Sequence, residues 1–166
     1  MTHVPSDARA EHVVETLDGF RRVIRVLRVG ARRAEERSGL SPAQLFVLSQ
    51  IAAAPNQSLT ELAQRTLTDR TSAAAMVARL AERGLVARVR GAEDRRRVEL
   101  RLTRAGARLL ERAPSAPTQQ ILDGLQQLDD ETVARLADAL GRLVRAMGAA
   151  DEPATMLFED AAEADA

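Results

Sequence analysis

The interval between apolar residues changes twice along this chain, and each change marks a new kind of element. Across residues 7–37, Val13, Leu17, Phe20, Ile24, Leu27, Ala31 and Ala34 recur at alternating steps of four and three. A seam of that kind, kept over three heptads, predicts a long helix that packs lengthwise against other helices. Arg21, Arg22, Arg25, Arg28, Arg32 and Arg33 fill its other faces, and Asp18 stands four residues before Arg22, within reach of an ion pair. Ser38-Gly39 ends this helix, and Ser41-Pro42 opens the next as N-cap and first helical residue. Leu45, Leu48, Ile51 and Ala52 mark its buried face, with Phe46 beside it, before Pro55-Asn56 closes it. Ser58 and Glu61 form a capping box for a short helix reaching about Leu67. Thr68 or Asp69 caps another over residues 70–83, with Ala73, Met76, Val77 and Leu80 turned inward and Gly84 at its C-terminal end.

After Gly84 the period drops from 3.6 to two. Residues 85–90 and 97–102 alternate as paired strands do, and the polar residues 91–96 join them as a hairpin loop. Thr103 caps a helix carrying Leu109 and Leu110, which Pro114 and Pro117 must kink or break. Ile121, Leu125 and Leu128 resume the pattern, and Asp129, Asp130 and Glu131 place negative charge at the next helix start. Val133, Leu136, Leu140, Leu143 and Met147 then form a second seam. The expected fold is mostly α with a small β-hairpin wing: a winged helix-turn-helix lobe plus a helical region whose two seams suit packing against other helices. The expected divisions are an N-terminal seam helix (1–39), a winged helix-turn-helix lobe (40–104), C-terminal seam helices (105–148) and an acidic disordered tail (149–166).

Charge sharpens this picture. The net charge of the 166-residue chain is zero, but residues 148–166 hold six acidic residues and no basic one, so the remainder carries +6. Residues 58–104 have eleven Arg against six acids, a local +5, and a basic module is the electrostatic footprint of a nucleic-acid binder. Every basic residue is Arg, which genomic base composition can produce by itself; Arg nonetheless offers a planar fork suited to phosphates and base edges.

Other chemistry is poorly supplied. With no Cys there is no disulfide, thiolate metal site or thiol-based oxidant sensor. His3 and His12 lie far from any ligand cluster, so no metal site is expected. The chain lacks a glycine-rich phosphate loop and a Gly-x-Ser-x-Gly elbow, and paired carboxylates such as Glu35-Glu36 sit beside Arg as solvated helix surface. Neither enzyme activity nor a cofactor is expected. The N-terminus has no apolar leader, and no apolar run approaches the ~20 residues of a membrane span, which points to a soluble cytoplasmic protein.

The helix over residues 70–83 presents Arg70, Thr71, Ser72, Ala74, Ala75, Ala78 and Arg79 outward. Only four of these seven can hydrogen-bond, so direct base reading is modest, with the alanines allowing close approach to thymine methyls. The wing compensates. Arg90, Arg95, Arg96 and Arg97 surround its tip, and an Arg there can enter a narrow minor groove where negative potential concentrates. Asp94 fits this tip as a clamp that fixes an Arg rotamer through a bidentate pair.

These residues resemble the MarR family of bacterial transcription regulators. The family's wing signature is Asp-x-Arg followed by Leu-Thr and a helix-starting Gly, present here as Asp94-Arg95-Arg96, Leu102-Thr103 and Gly106. Leu62-Ala63, Leu80 and Gly84-Leu85-Val86 also fall where the family has them, and the resemblance spans roughly residues 10–147. It implies a homodimer interlocked through its first and last helices, which fits the two seams. It further implies recognition helices in successive major grooves of a pseudo-palindromic operator, with Arg96 in the flanking minor groove. The expected function is a double-stranded DNA-binding regulator, a repressor of adjacent genes released by a small aromatic or anionic ligand. Phe20, Arg21, Arg25, Arg28 and Phe46 are the candidate ligand residues. The chain departs from the family in residues 113–117, which interrupt a helix that is usually continuous, and in lacking the Cys and Trp of its oxidant- and urate-responsive members. The alternative is a winged module used for protein contact without specific DNA binding.

Overall fold

The computed structural model describes residues 7–91, 96–152 and 157–158. Among these, seven helices flank one hairpin: α1 (Asp7–Ser38), α2 (Pro42–Ala53), α3 (Leu59–Thr66), α4 (Arg70–Glu82), β1 (Val86–Arg90), β2 (Val98–Leu102), α5 (Arg104–Leu110), α6 (Pro117–Leu125) and α7 (Asp130–Ala146). The fold is thus mostly α with a β-hairpin wing. Local chemistry explains where the helices begin. Ser41 and Ser58 accept from the backbone N–H of Gln44 and Glu61, whose side chains accept in return from the cap amides. Asp69, Thr103 and Asp129 cap α4, α5 and α7 with their side-chain oxygens. Each cap satisfies amides that a helix start leaves without a partner.

The core is built around α2, which packs against α1, α3, α4, α5, α6 and β2. Leu45, Phe46, Val47, Leu48 and Ile51 meet Leu62 of α3, Met76, Val77 and Leu80 of α4, and Val86 and Leu100 of the strands. A helix enclosed on so many sides buries nearly all its residues, so its single apolar stripe understates its burial. Ala52 is a correction: it is exposed, because it borders an open groove of about 440 Å³ between α2 and the chain linking α5 to α6. Phe46 lies in the core rather than beside it, at 1% exposure.

The strands pair antiparallel, with Val86 opposite Leu102 and Arg90 opposite Val98, and the Gly91 N–H donates to the Arg97 carbonyl at 2.8 Å. The loop after α2 adds a short third edge: the Leu100 N–H donates to the Gln57 carbonyl at 2.9 Å, and the Asn56 N–H to the Leu100 carbonyl at 3.1 Å. Where the wing returns to the helices, Thr103 Oγ1 donates to the Gly84 carbonyl at 2.7 Å and accepts from the Gly106 N–H at 3.1 Å. A Cβ on residue 106 would lie 2.2 Å from the Leu85 carbonyl oxygen, so only Gly lets α5 start this close to β1.

The proline pair breaks the helix as its chemistry requires. α5 stops at Leu110, and Pro117 becomes the first residue of α6, which packs on α1 and α2. Gln50 Nε2 of α2 donates to Gln119 Oε1 of α6 at 2.9 Å. The seam of α1 is buried only toward its end, at Ala31 and Ala34; Val13, Leu17 and Ile24 are about half exposed. α7 buries none of its residues, and Leu136, Leu140 and Leu143 stand open. In α1, Asp18 pairs with Arg21 at 2.7 Å rather than with Arg22, the i,i+3 neighbour competing successfully with i,i+4. Among the described residues no helix is long and apolar enough to cross a membrane. Most of the acidic segment 149–166 lies outside the described residues.

Candidate nucleic-acid interface

α4 is held by its inner face. Ala73, Met76, Val77 and Leu80 are buried, so the opposite stripe must face outward. Arg70, Thr71 and Ala75 are exposed, while Ser72, Ala74, Ala78 and Arg79 are half-buried at the stripe's edges. Asp69 organises the start of the helix. Its Oδ1 accepts from the N–H groups of Thr71 at 2.7 Å and Ser72 at 2.9 Å, and its Oδ2 accepts from the Ser72 hydroxyl at 2.6 Å. The Ser72 hydroxyl first, then the Ser72 and Thr71 amides, hold the Asp69 carboxyl below the usual carboxylate range. Those amides are therefore already satisfied and are not offered to a phosphate. Reading from this end falls to the Arg70 and Thr71 side chains.

The wing stands beside this surface. Arg88 of β1 brings Nη2 to 3.5 Å from the Ala74 carbonyl, laying the strand's arginine face along α4. Arg88 and Arg90 are both exposed and two residues apart, hence on one face of the strand. Arg88 is absent from the residues expected from sequence, although period-two alternation places it with Arg90. Arg96 is exposed at the end of the hairpin. Asp94 and Arg95 lie outside the described residues.

Arg97, expected among the DNA-contacting residues, is exposed and also paired within the lobe. Its Nη2 donates to Glu61 Oε2 of α3 at 2.6 Å, and the same oxygen accepts from the Ser58 N–H at 2.6 Å. The Ser58 amide, then its hydroxyl, and further the Arg97 guanidinium hold the Glu61 carboxyl below its ordinary range. The capping carboxylate of α3 thus also anchors the loop end of the hairpin, just before β2 begins. Both partners are about half exposed, so this contact fixes orientation more than it adds stability.

The residues expected to form a ligand crevice are not brought together. Phe46 is in the core, Arg21 is paired with Asp18, and Arg28 is exposed. Phe20 lines an apolar groove of about 710 Å³ with Val23, Leu27, Ile121, Leu136 and Leu140, between α1, α6 and α7. Arg25 alone of the five borders a mixed crevice of about 340 Å³, together with Arg33, Val29, Gly30, Pro114 and Gln120. Among the described residues no group of three His, Cys, Asp or Glu side chains could hold a metal ion.

Comparison with known proteins agrees with this geometry. A family model described as MarR family matches residues 38–97, which run from the end of α1 to the residue before β2. The chain is 34% identical over 122 residues to a putative transcriptional regulatory protein for the hcr operon of Thauera aromatica, covering 74% of each chain. It is 29% identical over 111 residues to the HTH-type transcriptional repressor MdtR of Bacillus subtilis, covering 67% of this chain and 72% of that one. Among solved structures, it resembles the PcaV transcriptional regulator of Streptomyces coelicolor in complex with its natural ligand, at TM-score 0.50 and 26% identity over 89% of this chain and 99% of PcaV. It is similar at TM-score 0.50 and 26% identity to a mutant MarR from E. coli complexed with operator DNA, over 78% of this chain and 96% of that one.

Proposed function

The chain belongs to the MarR family of transcriptional regulators, and from that premise we propose that it is a homodimeric repressor that binds a pseudo-palindromic operator. In this reading residues 40–104 are the DNA-binding lobe, and residues 1–39 with 105–148 are the dimerisation region. One observation carries the proposal. The outer face of α4, with Arg70 and Thr71 exposed, continues into the arginine face of the wing through Arg88, Arg90 and Arg96. Such a surface suits α4 in a major groove and the wing in the adjoining minor groove. In this reading Arg70, Thr71, Ser72, Ala74, Ala75 and Arg79 meet the major groove, and Arg97 positions the wing through Glu61 while Arg96 probes the groove.

A gel-shift titration on DNA upstream of the chain's own gene tests this. Arg96→Ala is expected to weaken binding about tenfold, within the ~1–3 kcal/mol range of a groove-reading Arg. Unchanged affinity would remove the wing from the mechanism. Complete absence of salt-sensitive binding by the native chain would favour a protein-contact module instead.

The ligand part of the proposal moves to the crevice bordered by Arg25 and Arg33. Arg25 and Arg33 line it together with Val26 and Val29, and two cations beside apolar surface suit a small organic anion. Its lining comes from α1 and from the α5–α6 link with the start of α6, all within the proposed dimerisation region. In a thermal-shift screen of aromatic carboxylates, a binding compound is expected to raise the native Tm by several degrees, and Arg25→Ala to abolish that rise. An equal rise in Arg25→Ala would place the ligand elsewhere.

A further inference from the structure

The turn between α3 and α4 holds one side chain that the fold itself does not use. α3 closes with two backbone bonds, from the Thr68 N–H to the Ala63 carbonyl at 3.1 Å and from the Leu67 N–H to the Gln64 carbonyl at 3.3 Å. That closure puts its penultimate residue in the left-handed region, and Leu67 sits there at φ 53° and ψ 38°. Gly is favoured in this role because any Cβ crowds the following carbonyl. The chain obeys that preference at other helix ends, with Gly39, Gly84 and Gly148 at φ +65°, +69° and +74° after α1, α4 and α7.

Packing does not compensate at Leu67. It is 78% exposed, the most open large apolar side chain among the described residues. A single exposed leucine is ordinary on a protein surface. An exposed leucine at a position that penalises every Cβ serves neither stability nor solubility, and strained positions of this kind cluster where a ligand is met. The place is informative too. Leu67 precedes Arg70 by three residues, and both Arg70 and Thr71 are exposed on the reading end of α4.

We infer that Leu67 is a DNA-contacting residue whose methyl groups rest on carbon surface of the groove that receives α4. This rests on the reading of the chain as a double-stranded DNA binder. The carbon surface is a thymine 5-methyl or the edge of a deoxyribose, both of which accept an apolar side chain without hydrogen bonds.

The test uses the full chain, its Leu67→Asn and Leu67→Gly variants, and a duplex enriched from a random-sequence library by the native protein. Asn and Gly both adopt the left-handed conformation, so folding is preserved. Both variants are expected to melt within about 2 °C of the native protein. Both are expected to bind the duplex about three- to tenfold more weakly, as loss of a buried apolar contact predicts. The slope of affinity against salt is expected to stay the same, because no charge has been removed. A duplex with uracil for thymine separates the two surfaces. If the thymine methyl is the contact, uracil DNA costs the native protein a larger factor than it costs the variants, which have already lost that contact. If deoxyribose is the contact, uracil DNA costs the native protein and both variants the same factor, and the variants still bind more weakly on either duplex. Native affinity in both variants overturns the inference and leaves the DNA-binding reading intact. So does a fall of several degrees in Tm, which would make Leu67 a packing residue, or a change of mass in solution, which would make it a subunit contact. Failure of the native chain to enrich any duplex overturns both readings.

Discussion

With Leu136→Asp and Leu140→Asp installed together, the protein is expected to sediment as a folded monomer of about 18 kDa and to lose more than a hundredfold in operator affinity. Both leucines lie on the open seam of α7 and are exposed, so neither supports the core around α2. A carboxylate on that seam costs nothing while the face is in water. It costs several kcal/mol once the face is covered by a second copy's apolar helices. The facing seam is present in this chain at Val13, Leu17 and Ile24, themselves about half exposed. Loss of DNA affinity follows because two linked lobes bind with a local concentration that separate lobes lack. Sedimentation velocity and circular dichroism decide the outcome. A doubled mass in the variant would sink the proposed dimer, and a monomer with native affinity would sink the two-lobe mode of binding.

Phe46→Ala is expected to cost about 3–5 kcal/mol in denaturant unfolding and to lower Tm by about 10 °C. The side chain is 1% exposed and belongs to one apolar cluster with Leu45, Leu62, Met76 and Leu80, so its removal leaves a cavity in the centre of the lobe. This result separates two roles that sequence leaves equal. A crevice residue would change the ligand response with little loss of stability. A core residue changes stability first. Native-like unfolding of the variant would return Phe46 to the ligand site.

The contrast between Phe46 and Phe20 shows where sequence reading stops. Both are aromatic residues on helical faces beside apolar neighbours. One is enclosed because α2 runs through the middle of the lobe, and the other lines an open groove because α1 extends beyond it. Similarly, Ala52 continues the stripe of Leu45 and Leu48 yet is exposed, since the α5–α6 link leaves a groove over it. Arg97 reads as one more basic residue at a basic tip. Its pairing with Glu61, 36 residues earlier, follows only once the wing folds back against α3. The strain at Leu67 was equally hidden, because nothing in Gln64-Arg65-Thr66-Leu67 announces a left-handed residue where Gly is the usual choice.

What the sequence determined by itself was everything encoded within about one helical turn. The caps at Ser41, Ser58, Asp69 and Thr103, the left-handed Gly84, the switch to period two after it and the proline break before α6 all act through neighbours three or four residues away. Those signals located the elements and, with the wing motif, the family. Tertiary structure alone decided which apolar residues are enclosed, which arginine anchors the wing, and that Gln50 meets Gln119 across 69 residues. Such pairs depend on how whole elements pack against one another, and no local preference of either residue specifies its distant partner.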